Sequence, residues 1–535
     1  MIYPPSLYIF TWVLTFMLFG ASRVSYRFFS IIKGFNFKKT GNKKRVMIIG
    51  AGDAGSMLIK ELNSHKVLMF QPVVAIDDDR RKHNRNINGI PIAGDRTQIV
   101  QMVNQYKVDE IIITIPSASK AQLSEIIKIC KETKCKLKTL PGVYELINDR
   151  VSIKDVRDVS IEDLLGRDEV KLNTEEIAGY LKNEVVLVTG GGGSIGSELC
   201  RQIAKYGPRK LIIFDTYENN AYDLQNELLH LYKNKLNFKV LIGSVQDKDR
   251  LKEIFSEYRP GVVFHAAAHK HVPLMELNPA EAIKNNVLGT LNTALCANEY
   301  GAKRFVLISS DKAVNPTNIM GATKRVCEMI IQSLDARSAT EFVAVRFGNV
   351  LGSNGSVLPL FKKQILHGGP ITVTDPDIIR YFMTIPEAVQ LVIQAGAMAK
   401  GGEIFILDMG EPVKIVDLAR DLIRLSGLEP DVDIKIKFTG LRQGEKLYEE
   451  LLLDEEGIGK TMHEKIYVGK PSDLKFKEVL MYVKALESSL GDSNVLREYM
   501  GKIVPTYTYA FEEAAAVKEH PQFKIRNREL KIEEV

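Results

Sequence analysis

Apolar and polar positions follow two periodicities along most of the chain. Short β-branched runs such as Val46–Ile49 are followed by stretches in which apolar residues recur at helical spacing. The first pattern predicts buried strands and the second predicts helices packed on them. Between residues 40 and 145 we predict further elements, which are strands at PVVAIDDD, DEIIITIPS and Lys136–Leu140 and helices at Thr97–Tyr106 and Ala121–Lys134. This alternation is typical of a doubly wound α/β domain.

The same pattern restarts more strongly after residue 182. EVVLVTGGGGSIGSELCRQIAKYG predicts a strand, a glycine-rich turn and a helix, and later strands are predicted at KLIIFD, GVVFHAAAH and RFVLISSDK. The fold class is therefore α/β, with two tandem Rossmann-like doubly wound parallel-sheet domains at 41–145 and 183–470, the second carrying a smaller substrate-binding subdomain. We predict a linker over 146–182 that ends in a helix at Thr174–Leu181, and a helix-rich C-terminal tail over 471–535.

The N-terminal pattern differs from the rest. LYIFTWVLTFMLFGA, Leu7–Ala21, carries no charge and is somewhat shorter than the ~20 residues that span a bilayer. Basic residues follow it, namely Arg23, Arg27, Lys33, Lys38, Lys39, Lys43, Lys44 and Arg45. By the positive-inside rule, we predict a membrane anchor within 1–40 and catalytic domains on the cytoplasmic side of the cell membrane. A buried or interfacial helix is the alternative.

Charge and cysteine content narrow the class of protein. The 535 residues have a net charge of +6 and no dense basic block, so nucleic acid is not predicted as a partner. Five cysteines are present without a C-x-x-C pair. Cys130 and Cys135 lie close together in sequence but lack further metal ligands at suitable spacing, which favours buried thiols in a reducing compartment.

The glycine-rich turn of the second domain predicts a dinucleotide site. Gly190, Gly193 and Gly196 allow a tight turn, close approach of pyrophosphate to backbone, and packing of the helix on the sheet. The phosphates are expected at the helix N-terminus, where unpaired N–H groups attract anions. Asp215 ends the next strand, where its carboxylate accepts both ribose hydroxyls and repels a 2′-phosphate, so the pattern favours NAD over NADP.

The first domain carries a similar turn without a catalytic constellation after it. Gly50, Gly52 and Gly55 follow a strand, and Asp77 stands at the end of the next one. A non-catalytic nucleotide or nucleotide-sugar site and a purely structural turn both remain open for this motif.

A third motif, DKAVNPTNIMGATKR, runs from Asp311 to Arg325. Short-chain dehydrogenases place Tyr-x-x-x-Lys here, with the tyrosine as catalytic acid and base. Lys324 is present, but Met320 occupies the tyrosine position, and a thioether cannot exchange a proton. Either the chemistry has been lost or another group performs it.

Seven motifs in order carry a specific resemblance. They are TGGGGSIGSEL, HAAAHKHVPLME, NNVLGT, ISSDKAVNPTNIMGATKR, RFGNVLGSNGSV, IIRYFMTIPEA and LRQGEKLYEELL. The chain resembles, over essentially its whole length, the membrane-anchored UDP-N-acetylglucosamine 4,6-dehydratases, extended short-chain dehydrogenase/reductases of bacterial polysaccharide and glycan biosynthesis. In that family a bundle of membrane helices precedes two Rossmann-like domains, so we expect the anchor to be the last helix of a truncated bundle. Long-chain members of the family also have Met at the tyrosine position.

The resemblance implies roles for the residues around Asp311. A 4,6-dehydratase oxidises carbon 4 of the sugar, loses water across carbons 5 and 6, and recycles its NAD. Asp311 is then the general acid at carbon 6 and Lys312 the base at carbon 5, which requires a protonated Asp311 and a Lys312 of depressed pKa. Lys324 holds the nicotinamide ribose and lowers the pKa of the 4-hydroxyl. Ser310 replaces a common Thr and keeps its orienting role, and Met320 completes the set of catalytic-site positions.

The resemblance extends to the cofactor and the substrate. The residues expected to contact NAD are Gly190, Gly193, Ser194, Ile195, Gly196, Asp215, Asp247, Ala266, Ala267 and Lys324. The residues expected to contact the UDP-sugar are Lys270, His271, Asn349, Ser356, Val357, Arg380, Arg442 and Glu445. The last three match positions for the diphosphate and the uridine ribose, and an arginine is suited to two phosphate oxygens at once.

No metal is predicted. His265, His269 and His271 lie on one strand and its following loop, which would not bring all three together without additional ligands.

Two other functions compete with the dehydratase. A UDP-sugar 4-epimerase or an NAD-dependent reductase normally needs the missing tyrosine, and neither needs the Asp311–Lys312 pair. A catalytically silent, membrane-tethered nucleotide-sugar sensor would explain Met320 but has no use for the intact Asp311, Lys312 and Lys324. The expected partners are the UDP-sugar, the membrane through the N-terminal helix, and a second copy of the chain in a homo-oligomer.

Overall fold

The structure, a computed structural model, describes most of the chain between residues 43 and 508. The described ranges are Thr15, 43–64, 70–140, 155–166, 170, 172–450, 458–469 and 474–508. The predicted membrane segment thus lies outside the described residues except for Thr15. Within the ranges described, no helix has the length and apolar character needed to cross a bilayer. The chain divides into two compact units, of which the first comprises residues 1–167 and 424–427 and the second comprises residues 168–423 and 428–535.

The first unit is built on a five-stranded sheet with the order β2-β1-β5-β6-β7. Its strands, together with the separate hairpin β3–β4, are β1 (Lys44–Ile49), β2 (Phe70–Ile76), β3 (Asn86–Ile87), β4 (Ile90–Pro91), β5 (Glu110–Ile113), β6 (Lys136–Thr139) and β7 (Arg157–Asp158). Its helices are α1 (Asp53–Ser64), α2 (Ile99–Tyr106), α3 (Lys120–Cys130) and α4 (Ile161–Leu165). The sheet is parallel except for β7, which pairs antiparallel with β6.

The stretch predicted as a linker, 146–182, contains elements of both units. Strand β7 and helix α4 belong to the first unit, and helix α5 (Thr174–Leu181) belongs to the second. The helix predicted at Thr174–Leu181 is confirmed as α5, whereas β7 and α4 are too short to show a clear periodicity in the sequence. The two cysteines of the first unit, Cys130 and Cys135, are buried free thiols, as predicted.

The second unit contains a nine-stranded sheet with the order β10-β9-β8-β11-β12-β13-β17-β21-β20. Its strands are β8 (Val185–Thr189), β9 (Lys210–Asp215), β10 (Phe238–Ile242), β11 (Val262–His265), β12 (Arg304–Ile308), β13 (Glu341–Arg346), β17 (Ile404–Leu407), β20 (Ile458–Lys460) and β21 (Ile466–Gly469). All pairs from β10 to β17 are parallel, whereas β21 and β20 run antiparallel. The predicted Rossmann-like α/β class with parallel sheets is therefore confirmed.

Helices connect these strands. They are α6 (Ser194–Lys205), α7 (Glu218–Tyr232), α8 (Lys248–Tyr258), α9 (Val272–Leu277), α10 (Pro279–Ala282), α11 (Gly289–Glu299), α12 (Ile319–Asp335), α13 (Val357–Leu366), α14 (Ile385–Met398) and α15 (Ile415–Leu425). The strand order reverses between β8 and β11, and parallel sheets bind ligands at the carboxyl ends of strands beside such a reversal.

Two small sheets lie outside the main sheet. The first has the order β14 (Asn349–Val350), β16 (Ile379–Met383) and β18 (Pro412–Lys414), and the second pairs β15 (Ile371–Val373) with β19 (Ile436–Phe438). Together with α13, they correspond to the predicted smaller subdomain.

The C-terminal segment completes the core of the second unit. Helices α16 (Phe476–Ser488) and α17 (Ser493–Ile503) bury apolar side chains in one cluster with α12. The members from the C-terminal helices are Val479, Val483, Leu486, Leu496, Met500 and Ile503. A guanidinium N–H of Arg497 donates to Glu276 at 2.7 Å, and Glu276 also accepts the Ile319 N–H that opens α12. The predicted helix-rich tail thus packs against the helix that carries Lys324.

A fully buried ion pair ties α12 to the sheet. Arg346 at the end of β13 makes two 2.7 Å hydrogen bonds to the Glu328 carboxylate on α12, and both side chains are 0% exposed. The hydroxyl of Ser309 donates to the same carboxylate at 2.6 Å, and Arg325 does so at 3.0 Å. Burial raises the pKa of Glu328, but these partners outweigh it and hold the pKa at about 2.

Removing the buried guanidinium will destabilise the second unit. Arg346→Met leaves the Glu328 carboxylate buried with fewer partners, and we expect the free energy of unfolding to fall by about 3 kcal/mol or more. Urea unfolding followed by circular dichroism measures this loss. Arg420→Met is the matched control, because Arg420 forms an exposed pair with Asp417, and we expect a change below about 0.5 kcal/mol. Equal losses in both variants would contradict the prediction.

Candidate active site

The turn after β8 forms a cradle in which side chains do not fit. Gly190 has a φ of +67°, and a Cβ there would lie 2.7 Å from the Ala266 backbone. A Cβ on Gly196 would overlap the carbonyl oxygen of Gly190. These contacts require glycine at both positions. Helix α6 begins at Ser194, so its free N–H groups face the mouth of the turn.

Asp215 closes the cavity beside this turn. One of its carboxylate oxygens accepts the Gly192 N–H and the other accepts the Tyr217 N–H, each at 2.8 Å. The cavity is also lined by Ala266 and Ala267. A glycine cradle, a helix N-terminus and a carboxylate at the end of the second strand together fit a dinucleotide with a free ribose 2′-hydroxyl. This geometry agrees with the prediction of NAD.

Three other residues predicted to contact the cofactor have roles within the protein. Asp247 does not line this cavity, and its carboxylate instead accepts the Arg250 N–H at 3.0 Å as the N-cap of α8. The Ser194 hydroxyl accepts the Asn354 N–H at 3.1 Å, which joins the cofactor helix to the loop before α13. Ile195 packs on the apolar cluster beneath the sheet.

The Asp311–Lys312 pair follows β12 at its carboxyl end. Asp311 is 1% exposed, and its Oδ1 accepts hydrogen bonds from the Ser310 hydroxyl at 2.8 Å and from Lys312 Nζ at 3.0 Å. The Ser310 Oγ also accepts the Lys312 N–H at 3.3 Å. Lys312 Nζ reaches Asn349 Oδ1 at 3.4 Å, so the structure brings four of the predicted site residues together.

A second carboxylate, which the sequence analysis did not identify, faces Lys312. Glu449 Oε1 lies 3.3 Å from Lys312 Nζ and 3.7 Å from Arg380 Nε, and the side chain is 5% exposed. Glu449 belongs to the motif LRQGEKLYEELL, in which Arg442 and Glu445 were predicted as substrate contacts. The motif contains Glu445, Glu449 and Glu450, and the sequence alone does not indicate which of these carboxylates is buried beside Lys312.

The charges around Lys312 correct one prediction. Burial lowers the pKa of the Lys312 ammonium, but the carboxylates of Asp311 and Glu449 outweigh burial and raise this pKa above the ordinary lysine value. The expected depressed pKa is therefore wrong for this set of charges. Burial and the Asp311 charge also raise the pKa of Glu449, against the opposing effects of Lys312 and Arg380. Both shifts favour the protonated form of their group.

Lys324 and Met320 occupy different surroundings on α12. Lys324 is buried, and its Nζ donates to the Ile308 carbonyl at 2.9 Å, which places the ammonium at the end of β12. Burial lowers the pKa of Lys324. Met320 is 3% exposed and belongs to the apolar cluster that includes the C-terminal helices. Its role in the structure is packing, so the catalytic-site position assigned to it holds no group for proton exchange.

The predicted diphosphate and ribose residues form an ion-pair chain. Arg442 pairs with Glu445 through contacts of 3.0 and 3.2 Å, and Arg380 lies 3.6 Å from the same carboxylate. The guanidinium of Arg380 donates to the carbonyls of Ile379 and Lys446, each at 2.7 Å. Arg380 is buried, whereas Arg442 is exposed. Arg442 is thus the more accessible of the two to a phosphate.

The remaining predicted substrate residues are near one loop. Ser356 is the N-cap of α13, and its Oγ is buried without a hydrogen-bond partner among the described residues. A buried hydroxyl of this kind is suited to a ligand oxygen. Val357 is the first residue of α13. His271 and Lys270 are exposed, and a Cβ on Gly355 would overlap the His271 ring, so this loop passes close to His271.

His265 lies in a buried hydrogen-bonded position. His265 is buried between the hydroxyls of Thr189 at 2.8 Å and Thr290 at 3.1 Å. Burial, with a smaller effect of the Lys324 charge, lowers its pKa to about 3, so this ring is neutral. Over the residues that the structure describes, no group of His, Cys, Asp and Glu side chains could hold a metal ion.

Known proteins match both units of the chain. The sequence pattern of the polysaccharide biosynthesis protein family matches residues 186–471, and that of a CoA-binding domain matches residues 7–141. The capsular polysaccharide biosynthesis protein CapD of Staphylococcus aureus is 48% identical over 493 residues, which cover 92% of this chain and 82% of that protein.

Two further relatives each match about half of the chain. The inverting UDP-N-acetylglucosamine 4,6-dehydratase of Campylobacter jejuni subsp. jejuni serotype O:2 is 35% identical over 296 residues, which cover 54% of this chain and 84% of that protein. The X-ray structure of Pen from Bacillus thuringiensis aligns with a TM-score of 0.51 at 37% identity, covering 55% of this chain and 90% of that one.

A methyl group in the glycine cradle will prevent cofactor binding. In Gly196→Ala the new Cβ overlaps the Gly190 carbonyl, so the turn must open and we expect NAD affinity to fall by at least about tenfold. Titration with NAD, followed by protein fluorescence, measures this affinity. Gly179→Ala is the control, since a Cβ there meets nothing within 4 Å. Unchanged affinity in Gly196→Ala would rule out the cradle as the NAD site.

Proposed function

Because this chain belongs to the polysaccharide biosynthesis protein family, we propose that it is an NAD-dependent UDP-N-acetylglucosamine 4,6-dehydratase. It would serve bacterial surface polysaccharide or glycan biosynthesis at the cytoplasmic face of the cell membrane, as a homo-oligomer. The observation that carries the proposal is the buried Asp311–Lys312 pair, with Nζ and Oδ1 3.0 Å apart, at the carboxyl end of β12. Such a pair supplies an acid and a base to one substrate.

The reaction needs four proton movements. NAD, held by the glycine turn and Asp215, would supply reversible hydride chemistry between carbons 4 and 6 of the sugar. A group must take the proton of the 4-hydroxyl, and an acid must protonate the departing 6-hydroxyl. A base must remove the proton on carbon 5, and carbon 5 must later regain a proton. The sum is the loss of one water, which leaves a 4-keto-6-deoxy sugar.

Asp311 and Lys312 carry out these four proton transfers. The Asp311 carboxylate takes the 4-hydroxyl proton and then delivers it to the 6-hydroxyl, which leaves as water. Lys312, as the neutral amine, removes the carbon-5 proton and gives it back to carbon 5. Ser310 orients Asp311 through its 2.8 Å hydrogen bond. Lys324, whose pKa burial lowers, holds the nicotinamide ribose beside the 4-hydroxyl.

Substrate binding falls to the small subdomain. The N-terminus of α13 and the unpaired Ser356 hydroxyl offer donors to a phosphate oxygen. Arg442 adds an exposed guanidinium, and Glu445 can accept hydrogen bonds from ribose hydroxyls. A UDP-sugar 4-epimerase is disfavoured because Met320 replaces the tyrosine such enzymes use and lies in an apolar cluster.

Incubation with UDP-N-acetylglucosamine and no added cofactor tests the reaction. We expect mass spectrometry to show a product lighter by one water, because the cofactor is recycled within the site. Lys312→Ala should abolish this product, because no base remains at carbon 5. The control Lys502→Ala removes an exposed lysine of α17 and should leave the rate unchanged. A product of equal mass with an epimer in its proton NMR spectrum would indicate an epimerase, and no product would favour a sensor.

Removal of the Ser356 hydroxyl tests the substrate site. Since this oxygen has no protein partner among the described residues, Ser356→Ala should keep its stability. Loss of a hydrogen bond to a charged group is expected to raise KM about tenfold at nearly constant kcat. Steady-state kinetics on the UDP-sugar measure both constants, with Ser488→Ala on an exposed helix face as the control. A wild-type KM in Ser356→Ala would remove this residue from the site.

A further inference from the structure

Glu449 contacts Lys312, the base of the proposed reaction, but takes no part in the proton transfers assigned to Asp311 and Lys312. Its carboxylate lies 3.3 Å from Lys312 Nζ, close enough for direct proton exchange after a small movement. The side chain is 5% exposed, so solvent screens its charge poorly. A buried carboxylate against a catalytic lysine influences the protonation of that lysine.

Three elements present charged groups to Glu449. Asp311 and Lys312 follow β12, Arg380 lies on β16 and Glu445 stands four residues earlier on the same loop. The guanidinium of Arg380 approaches Glu449 only to 3.7 Å, because its N–H groups donate to backbone carbonyls. The Asp311 carboxylate accepts hydrogen bonds from the Ser310 hydroxyl and from Lys312. Burial and the Asp311 charge raise the pKa of Glu449, which favours its uptake of a proton.

The proposed reaction requires a group that accepts one proton from the Lys312 ammonium. Lys312 must be a neutral amine when it attacks the carbon-5 proton, yet it rests between two carboxylates as an ammonium. Asp311 cannot take the surplus proton, because it already holds the proton of the 4-hydroxyl at that stage. Among the described residues, Glu449 is the other carboxylate in contact with Lys312.

We propose that Glu449 is a positioning residue that accepts the Lys312 proton and holds it while Lys312 acts as the base at carbon 5. This inference rests on the proposed dehydratase function. The step breaks one N–H bond of Lys312 and forms one O–H bond on Glu449, with no other reactant. The timing follows from electrostatics, because protonation of Asp311 removes one of the two anions that hold the ammonium form.

The burial of the cluster favours this transfer. Once Asp311 is neutral, the charges left in this cluster are those of Lys312, Glu449, Arg380 and Glu445. Proton transfer removes the first two together and leaves Arg380 near the Glu445 carboxylate, 3.6 Å away. Fewer buried charges mean a smaller desolvation penalty. The raised pKa of Glu449 acts in the same direction, because a carboxyl of raised pKa takes up a proton at higher pH than usual.

The test uses Glu449→Gln, which keeps the shape and cannot accept the proton. At neutral pH we expect dehydration of UDP-N-acetylglucosamine to slow about 100-fold. Oxidation at carbon 4 does not use Glu449, so the absorbance of reduced nicotinamide should accumulate during a single turnover. The dehydration rate should then rise about tenfold per pH unit, because Lys312 must lose its proton to solvent, whereas the wild-type rate stays nearly flat over the same range.

Two further variants make the test specific. Glu450→Gln changes the neighbouring glutamate, which is 52% exposed and pairs with Lys446, and it should behave as wild type. Glu449→Asp retains a carboxyl and should recover the flat pH profile with a reduced rate. This recovery would not follow if Glu449 only supported the fold.

The outcomes separate the inference from the proposed function. If wild type dehydrates the sugar but Glu449→Gln loses oxidation and dehydration in parallel, with no new pH dependence, Glu449 is structural and the inference is wrong. Wild-type rates in Glu449→Gln would overturn it equally. If wild type itself forms no product lighter by one water, the proposed function is wrong, and the inference falls with it.

Discussion

The ion pair between Glu328 and Arg346 is the constraint on which the second unit depends. One buried carboxylate receives hydrogen bonds from Ser309, which follows β12, from Arg346 on β13 and from Arg325 on its own helix. The pair thereby fixes helix α12 against the two strands whose ends carry the candidate site. Lys324 lies one helical turn before Glu328, and Asp311 and Lys312 directly follow Ser309 and Ser310. A shift of α12 would move Lys324 relative to Asp311 and Lys312. The Glu328–Arg346 pair resists such a shift and therefore helps to fix the geometry of the site.

The proposed mechanism would let a short-chain dehydrogenase fold work without its usual tyrosine. In this chain the tyrosine position is an apolar contact, Met320, that joins α12 to the C-terminal helices. The groups able to move protons stand instead on the loop after β12 and on the loop that carries Glu449. In the proposed mechanism the groups that transfer protons therefore lie outside α12, while the Lys324 ammonium lies at the end of β12.

Much of this architecture is readable from sequence. Continuous β-branched runs identified the central strands because both faces of a parallel sheet are buried, and the glycine spacing identified the cofactor turn because a Cβ does not fit there. The Asp311–Lys312 pair was found through its motif. Glu449 was missed, because its approach to Lys312 depends on how a distant loop folds over the sheet. The raised pKa of Lys312 was missed for the same reason, since it results from that contact.

The packing of α16 and α17 beneath α12 has a consequence for how the protein is made. The chain leaves the ribosome from its N-terminus, and domains fold largely as their residues emerge. The underside of α12 is covered by side chains as late as Ile503 and Tyr507. The second unit therefore cannot complete its core during translation until residues as late as Tyr507 have emerged. Until then, Met320 and its apolar neighbours are exposed on a nascent chain, and chaperones are the cellular factors that shield such surface.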